Sequence, residues 1–547
     1  MPVRLHRDLP WITAPRRALE RPVTTTVGIA RAGGELTNLQ ILRALAASLV
    51  LVHHVAGHAQ ALRGADRPFP AVDGMLGVWG VALFFALSGF LMARLVTRDA
   101  PVVFLTHRVS RIFPTYFAVV ALFAGLLHAV GLEFGGVSML SLSLAPGGQR
   151  SYPLNVEWTL TLEVSFYVAL FGLAAAGLAR RLVPFAAGWL VLLAVAWPLL
   201  PPGSRNLMPP PLYLVPVTLA CMPFAGGLLL PRMIAAGWIR PGAALLALPF
   251  AAACFAVDTA SARGIGGIAA VLLVGAAVTA PQIRRKGPAA RGLIALGDWS
   301  YVLYLVHPPV LALAARFCPP HWSGLAYGSV AIAGALAATA LLGPLDVAFY
   351  RRLRGRIDAV RPATLRGIAA AFLVVFAGCA VWGSAETARD DWAEATARRT
   401  FATLPAGTWT SPGEARAAIA GRHIALPATM MAAVETVQRL SATELLVSAY
   451  AFDPAQKSRH MEIALFCGGH LVVLDKPRRL RPDLAGRPGF EAVGKRRIGY
   501  RVRVPADACG PDTIIPAVID GDGLMAVLPV APPAASPGTA GGQPGAP

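Results

Sequence analysis

The sequence predicts an all-α polytopic membrane protein, about ten spans plus one linking span, followed by a small mainly-β soluble domain. Three observations carry that prediction. Of the 547 residues, 55% are hydrophobic and only 14% charged, with a mean hydropathy of +0.57. The apolar residues come in blocks of about 20, the length at which a helix crosses a hydrocarbon core, and short arginine-bearing connectors divide them. From about residue 386 the chain turns polar, with short alternating runs between Pro, Gly and Asp turns. The formal charge of +20 is distributed over the connectors instead of gathering on one face, so it argues topology and no nucleic-acid partner.

Residues 1–37 hold six arginines and no apolar run long enough for a signal sequence, and read as a cytoplasmic basic tail. Eleven candidate spans follow: 38–61, 75–97, 112–131, 158–177, 182–200, 211–231, 242–258, 264–281, 293–315, 324–345 and 366–385. The connectors alternate in basic content. Arg94, Arg98, Arg108 and Arg111 adjoin the end of the second span, Arg180 and Arg181 the fourth, and Arg232 and Arg240 the sixth. Arg284, Arg285, Lys286 and Arg291 follow the eighth, and Arg351, Arg352, Arg354, Arg356, Arg361 and Arg366 the tenth. The opposite connectors hold few, such as Arg150 or Arg205. The positive-inside rule then places the N-terminus in the cytoplasm and, with an odd number of spans, everything after 385 outside it, in a bacterial inner membrane.

The domains expected are therefore a tail over 1–37, a membrane domain over 38–345, and a basic loop with a linking helix over 346–385. An extracytoplasmic β-sandwich-like domain over 386–530 and a disordered tail over 531–547 complete the chain. Strands are expected at "ELLVSAYAF", "MEIALFCGGHLVVL", "GYRVRVP" and "TIIPAVID". Cys221, Cys254, Cys318 and Cys379 lie in or beside spans and read as small hydrophobes. Cys467 and Cys509 are the two in the extracytoplasmic domain, an oxidising compartment where a pair tends to bridge; their spacing is unlike a zinc site, and no metal is expected.

The chemistry concentrates in a few ionisable groups set in apolar helices, where such groups are costly and default to function. In "LQILRALAASLVLVHH" Arg43 and His54 stand eleven residues apart, on one helical face and about 16 Å apart along the axis. His53 points elsewhere, and His58 reads as reaching the outer surface. The fourth span opens "EWTLTLEVSFY", bringing Glu163 to about the level of His54, and the ninth, "LGDWSYVLYLVHPPVL", brings His307 to the same layer above Tyr301 and Tyr304. In "HRVSRIFPTY" Arg108 and Arg111 sit at i and i+3, and paired guanidiniums suit phosphate oxygens; membrane anchoring is the plainer reading. Ser88 in "LFFALSGFL" reads as a helix-packing notch rather than a nucleophile.

Taken in order, "LRALAASLVLVHH", "GVALFFALSGFLM", "HRVSRIFPTY", "WTLTLEVSFY" and "LGDWSYVLYLVHPPV" resemble the acyltransferase 3 family of integral membrane acyltransferases, over about residues 38 to 345. The resemblance implies an O-acyltransferase that moves an acyl group, acetyl in the first instance, from cytoplasmic acyl-coenzyme A to an extracytoplasmic glycan or glycolipid. It also implies that Arg43, His54, Arg108, Arg111 and Glu163 are functional positions. Together with the reading of the residues, this gives Arg43, Arg108 and Arg111 as donor-binding groups and His54, Glu163 and His307 as catalytic ones. His54 is expected as general base or as transient acyl carrier, with Glu163 or a neighbour holding its tautomer. Some family members carry an extracytoplasmic hydrolase-like domain with a Gly-Asp-Ser-type motif; the C-terminal segment here has none, and acceptor binding or partner docking is expected of it. The rival reading is a transporter that uses His54, Glu163 and His307 as a proton relay, but the chain lacks the internal repeats common in transporters.

Overall fold

A computed structural model describes residues 36–63, residues 70–402 except positions 133, 149, 151 and 320, and, within 431–527, the strand residues and a few positions beside them. The expected tails at 1–37 and 531–547 lie outside the described residues, apart from the last two positions of the first. The chain divides into two units, Met1–Ala385 and Glu386–Pro547.

The first unit is helical. Helix α1 (Thr37–Arg63) is followed by α2 (Pro70–Arg98), α3 (Pro101–Ala129), the single turn α4 (Met139–Leu142), α5 (Glu157–Ala175), α6 (Leu182–Leu199) and the single turn α7 (Pro202–Arg205). Then come α8 (Met222–Ala235), α9 (Ala243–Ala253), α10 (Thr259–Thr279), α11 (Pro288–Asp298), α12 (Ser300–Phe317), α13 (Gly324–Ala359) and α14 (Pro362–Ala402). Among the described residues, nine helices are long and apolar enough to cross a membrane, and two shorter apolar segments, Leu219–Ala235 and Ala243–Ala256, accompany them.

Those two segments correct the expectation of full spans at 211–231 and 242–258. Pro211, Pro216 and Pro223 fall in the first, and each lacks a backbone donor and restricts the residue before it. The chain accordingly makes 3₁₀ turns at Leu212–Val217 and Leu219–Cys221 before α8 begins. The predicted span at 293–315 is likewise two helices, α11 and α12, divided at Trp299 (φ −93°, ψ 3°). Conversely, α13 runs 36 residues, well past the apolar block that ends at 345.

Small residues let α2 sit in the middle of this unit. A Cβ on Gly89 would lie 2.2 Å from the Phe224 carbonyl oxygen, and one on Gly227 would lie 2.4 Å from that of Ala86, so α2 and α8 cross backbone to backbone. Helix α14 belongs to the same packing: Phe376, Cys379 and Ala380 are buried with Tyr116, Phe123 and Leu144, and Ser384 accepts from Leu212 N at 2.8 Å.

In the second unit, two four-stranded antiparallel sheets have the orders β1-β2-β6-β5 and β4-β3-β7-β8. The strands are β1 (Met431–Arg439), β2 (Glu444–Phe452), β3 (Glu462–Cys467), β4 (His470–Asp475), β5 (Arg479–Leu480), β6 (Arg497–Pro505), β7 (Ile515–Ile519) and β8 (Met525–Val527). The four runs read from alternation are β2, the β3–β4 hairpin, β6 and β7. Their alternate residues Leu445, Val447 and Ala449 meet Ile463, Leu465 and Val518 in one core, which also holds the Cys467–Cys509 disulfide. The sheets therefore pack face to face, as alternation with a period of two requires.

Candidate active site

Two cavities lie end to end inside the helical unit. The first, about 160 Å³, is lined by Arg43 of α1, Ser88 of α2, Arg108 and Arg111 of α3, Glu163 of α5 and Tyr301 of α12. The second, about 320 Å³, is lined by His53 and His54 of α1, Trp158 of α5, Met208, Thr259 and Arg263 of α10. Val81, Phe85 and Tyr304 line both, so these three side chains form the partition between an arginine chamber and a histidine chamber.

The three arginines share the first chamber but differ in partners. Arg111 Nη1 donates to Asp346 Oδ2 at 2.8 Å, and its guanidinium lies 5.1 Å from the ring centroids of both Tyr301 and Tyr350. Asp346 also accepts from Thr115 Oγ1 at 2.5 Å and is buried, so Arg111 is one half of an enclosed ion pair. Arg108 has only a long contact, Nη2 to the Tyr350 hydroxyl at 3.5 Å, and its buried Nε has no hydrogen-bond partner among the described residues. The side-by-side pair expected from the i, i+3 spacing is present, but one member is already neutralised and the other is open.

Glu163 departs from the sequence expectation. It accepts from Ser88 Oγ at 3.3 Å and from the Tyr167 hydroxyl, and it faces the arginines. The group beside His54 is His307, whose Nε2 lies 3.3 Å from His54 Nδ1 with ring centroids 5.0 Å apart. Each imidazole also folds Nδ1 back on the carbonyl four residues earlier, His54 to Val50 at 2.9 Å and His307 to Leu303 at 3.1 Å. A carbonyl only accepts, so in the neutral rings both Nδ1 atoms carry the proton. His307 Nε2 is then a bare acceptor for the shared His54 Nδ1–H, and His54 Nε2 retains its lone pair. Among the described residues, the hydrogen-bond partners of the His54 ring are a histidine and a carbonyl, not a carboxylate.

The remaining residues complete the wall. His53, expected to point away, packs over Gly77, where a Cβ would meet its ring at 2.8 Å, and lines the chamber with His54. Tyr304 is fixed between the chambers by its hydroxyl, 2.5 Å from Thr159 Oγ1 and donating to Val156 O at 2.8 Å. Tyr301 donates to Ile112 O at 2.8 Å, tying α12 to α3. Sequence reasoning missed Asp346, Tyr350 and Arg263. A carboxylate two residues past a proline in "LLGPLDVAFY" was a usable signal, because a buried acid in an apolar helix needs a cation. Among the described residues no cluster of His, Cys, Asp and Glu has a metal-binding arrangement.

Comparison with known proteins agrees with this architecture. The model of the family described as Acyltransferase domain matches residues 36–344. The chain is 28% identical over 311 residues to the exopolysaccharide production protein ExoZ of Rhizobium meliloti (strain 1021), covering 53% of this chain and 91% of that protein. It is 29% identical over 308 residues to the acyltransferase MdmB of Streptomyces mycarofaciens, covering 48% of this chain and 75% of that one. No solved structure matches the chain. Carrying the ordered motifs over most of a helical unit that encloses both chambers, the chain belongs to the acyltransferase 3 family and is a multi-pass membrane acyltransferase.

Proposed function

We propose that the protein moves an acyl group, acetyl in the simplest case, from cytoplasmic acyl-coenzyme A to a hydroxyl of an extracytoplasmic glycan or glycolipid. The observation that carries this reading is the meeting of a cationic chamber and an imidazole chamber at the Val81–Phe85–Tyr304 partition. An acyl donor has those two ends: phosphates for guanidiniums, and a thioester about 16 Å along the α1 axis at His54. The name of the ExoZ relative, an exopolysaccharide production protein, supports a glycan acceptor.

In this mechanism Arg108 and Arg43 take the coenzyme phosphates, while Arg111, held by Asp346, shapes the chamber. Glu163 lies beside the donor arm and balances the arginine charge. The acceptor hydroxyl enters the histidine chamber, and His54 Nε2 removes its proton as the oxygen attacks the thioester carbonyl. The new C–O bond forms, the C–S bond breaks, and the proton passes from His54 to the departing thiolate. His307 keeps the reacting nitrogen of His54 unprotonated beforehand and accepts from its Nδ1–H as positive charge develops.

Mass spectrometry of surface glycans from cells with and without the gene should show one defined acyl increment that the knockout lacks. His54→Ala, inserted at wild-type level and still binding coenzyme A, should lose transfer by about 10²–10⁴-fold, the usual worth of a general base. Arg43→Lys keeps the charge but not the planar fork and should chiefly weaken donor binding. Normal acylation by His54→Ala would return that imidazole to a structural role and move the catalytic assignment to His307.

A further inference from the structure

The histidine chamber contains a cation that the transfer chemistry does not use. Arg263, on the first turns of α10, lines the chamber together with His54 and is the one permanently charged group among its described lining residues. Its guanidinium carbon lies 5.5 Å from the centroid of the Trp158 ring, and Nη1 donates a long hydrogen bond, 3.4 Å, to Asn206 Oδ1. Asp258 precedes it on the same helix, but both carboxylate oxygens are engaged there. Oδ1 accepts from Ala260 N and Ser261 N, and Oδ2 accepts from Ser261 Oγ at 2.6 Å. Among the described residues Arg263 has no ion-pair partner, in contrast to Arg111 with its Asp346.

A guanidinium has five N–H donors in a planar fork, and one weak bond and one aromatic face leave most of them unused. Asp258 offsets part of the Arg263 charge at a distance, but the half-buried fork faces the cavity with most of its donors open to a ligand. What fits it is a carboxylate or phosphate, which takes two parallel N–H bonds. Neither the thioester nor a neutral sugar hydroxyl has that geometry. The coenzyme phosphates have their own arginines on the other side of the partition.

We infer that the histidine chamber takes an acceptor bearing an oxyanion close to the hydroxyl that is acylated, and that Arg263, held against Trp158, is the residue that selects it. The inference rests on the proposed function and adds the class of acceptor: an acidic saccharide. Its charge is the carboxylate of a sugar acid or a phosphate on the saccharide. A chamber of about 320 Å³ keeps this oxyanion and the reacting hydroxyl on the same or adjacent sugar units.

The test uses full-length protein in native membranes, with Arg263→Gln, Arg263→Lys and His54→Ala compared at matched expression. Acyl transfer to the cell's own glycan is followed by mass spectrometry of the acylated fragments. Carboxyl reduction and dephosphorylation of those fragments identify which oxyanion is present. The acylated fragment should carry one of the two. Arg263→Gln should slow transfer about 10- to 100-fold, the worth of a hydrogen bond to a charged group, while acyl-coenzyme A binding stays at the wild-type level. Arg263→Lys should recover part of the rate. Wild-type transfer by Arg263→Gln, or an acylated fragment with neither acid nor phosphate, overturns the inference. If Arg263→Gln does not accumulate, the charge of the wild-type fragment and the Lys variant decide. A His54→Ala protein that transfers normally would instead overturn the reading beneath it, and the two failures are separately visible.

Discussion

Arg108 and Arg111 are one helical turn apart and have opposite environments, which gives a direct way to separate a structural cation from a ligand-binding one. The Asp346 side chain is 2% exposed and that of Arg111 20%. Breaking a buried pair leaves an uncompensated charge and typically costs about 3–5 kcal/mol. Asp346→Asn should therefore lower the melting temperature in detergent by several degrees with or without coenzyme A. Arg108→Ala should leave melting unchanged without ligand and abolish most of the stabilisation that coenzyme A confers; equal melting losses in both variants would remove the distinction. Residue types were legible in the sequence: Arg43, His54, Arg108, Arg111, Glu163 and His307 all face one or other chamber or, for His307, a chamber-lining ring. Which of them touch was not. Counting turns from a span end treats each helix as a straight upright rod, and this set Glu163 level with His54; tilt and neighbour order decide contacts, and those put His307 there. Asp346 escaped because the apolar block ends at 345 while the helix continues.

At the scale of the element, hydropathy located the helices better than it measured them. The prolines of 211–231 convert a predicted span into two 3₁₀ turns and the 14-residue α8, and Ala220 of the second turn and Pro223 at the start of α8 line the histidine chamber. Loss of regular helix here is part of how the chamber is made. Helix α10, which carries Arg263, instead begins with a strong local signal, since Asp258 accepts from Ala260 N and Ser261 N as N-cap. The Ser261 hydroxyl bond, with those amides, holds the Asp258 carboxyl below its ordinary value. A lowered folded value means stabilisation that is complete above the unfolded value near 3.8 and is lost as pH falls through the folded one. Asp258→Ala should cost about 0.5–1 kcal/mol at neutral pH, in keeping with an exposed cap, while Asp258→Ser recovers most of it. Thermal melts across pH 3 to 7 should show the wild-type advantage over Ala shrinking only at the acid end; a constant difference would mean that the carboxylate charge contributes nothing. In the second unit, β2, β6 and β7 were legible because one face alternates into a shared core. Strand β1 was not, since "MAAVETVQR" buries Val434 fully and little else.

For the whole molecule, the direction of transfer depends on orientation, and orientation depends on where the arginines lie. The basic connectors are those after α2, α5, α8 and α10 and at the end of α13, and on the positive-inside rule they are the ground for proposing that the arginine chamber lies on the cytoplasmic side and the C-terminal unit on the other. The cysteine inventory makes this measurable without preparing a cysteine-free background. Cys221, Cys254, Cys318 and Cys379 are buried, and Cys467 is joined to Cys509, so native thiols should react little with a bulky impermeant maleimide. Ala359 at the end of α13 and Gln438 on β1 are both exposed. In cells whose outer barrier has been opened but whose inner membrane is intact, Gln438→Cys should label at once. Ala359→Cys should label only after that membrane is permeabilised. The bridge between Cys467 and Cys509 belongs to the same expectation, because an oxidising compartment is where such a pair persists. If Ala359→Cys labelled first and Gln438→Cys needed permeabilisation, the chambers would be inverted. The arginines would then face away from the coenzyme pool, and acyl-coenzyme A could not be the donor in the way proposed, whatever the outcome at His54.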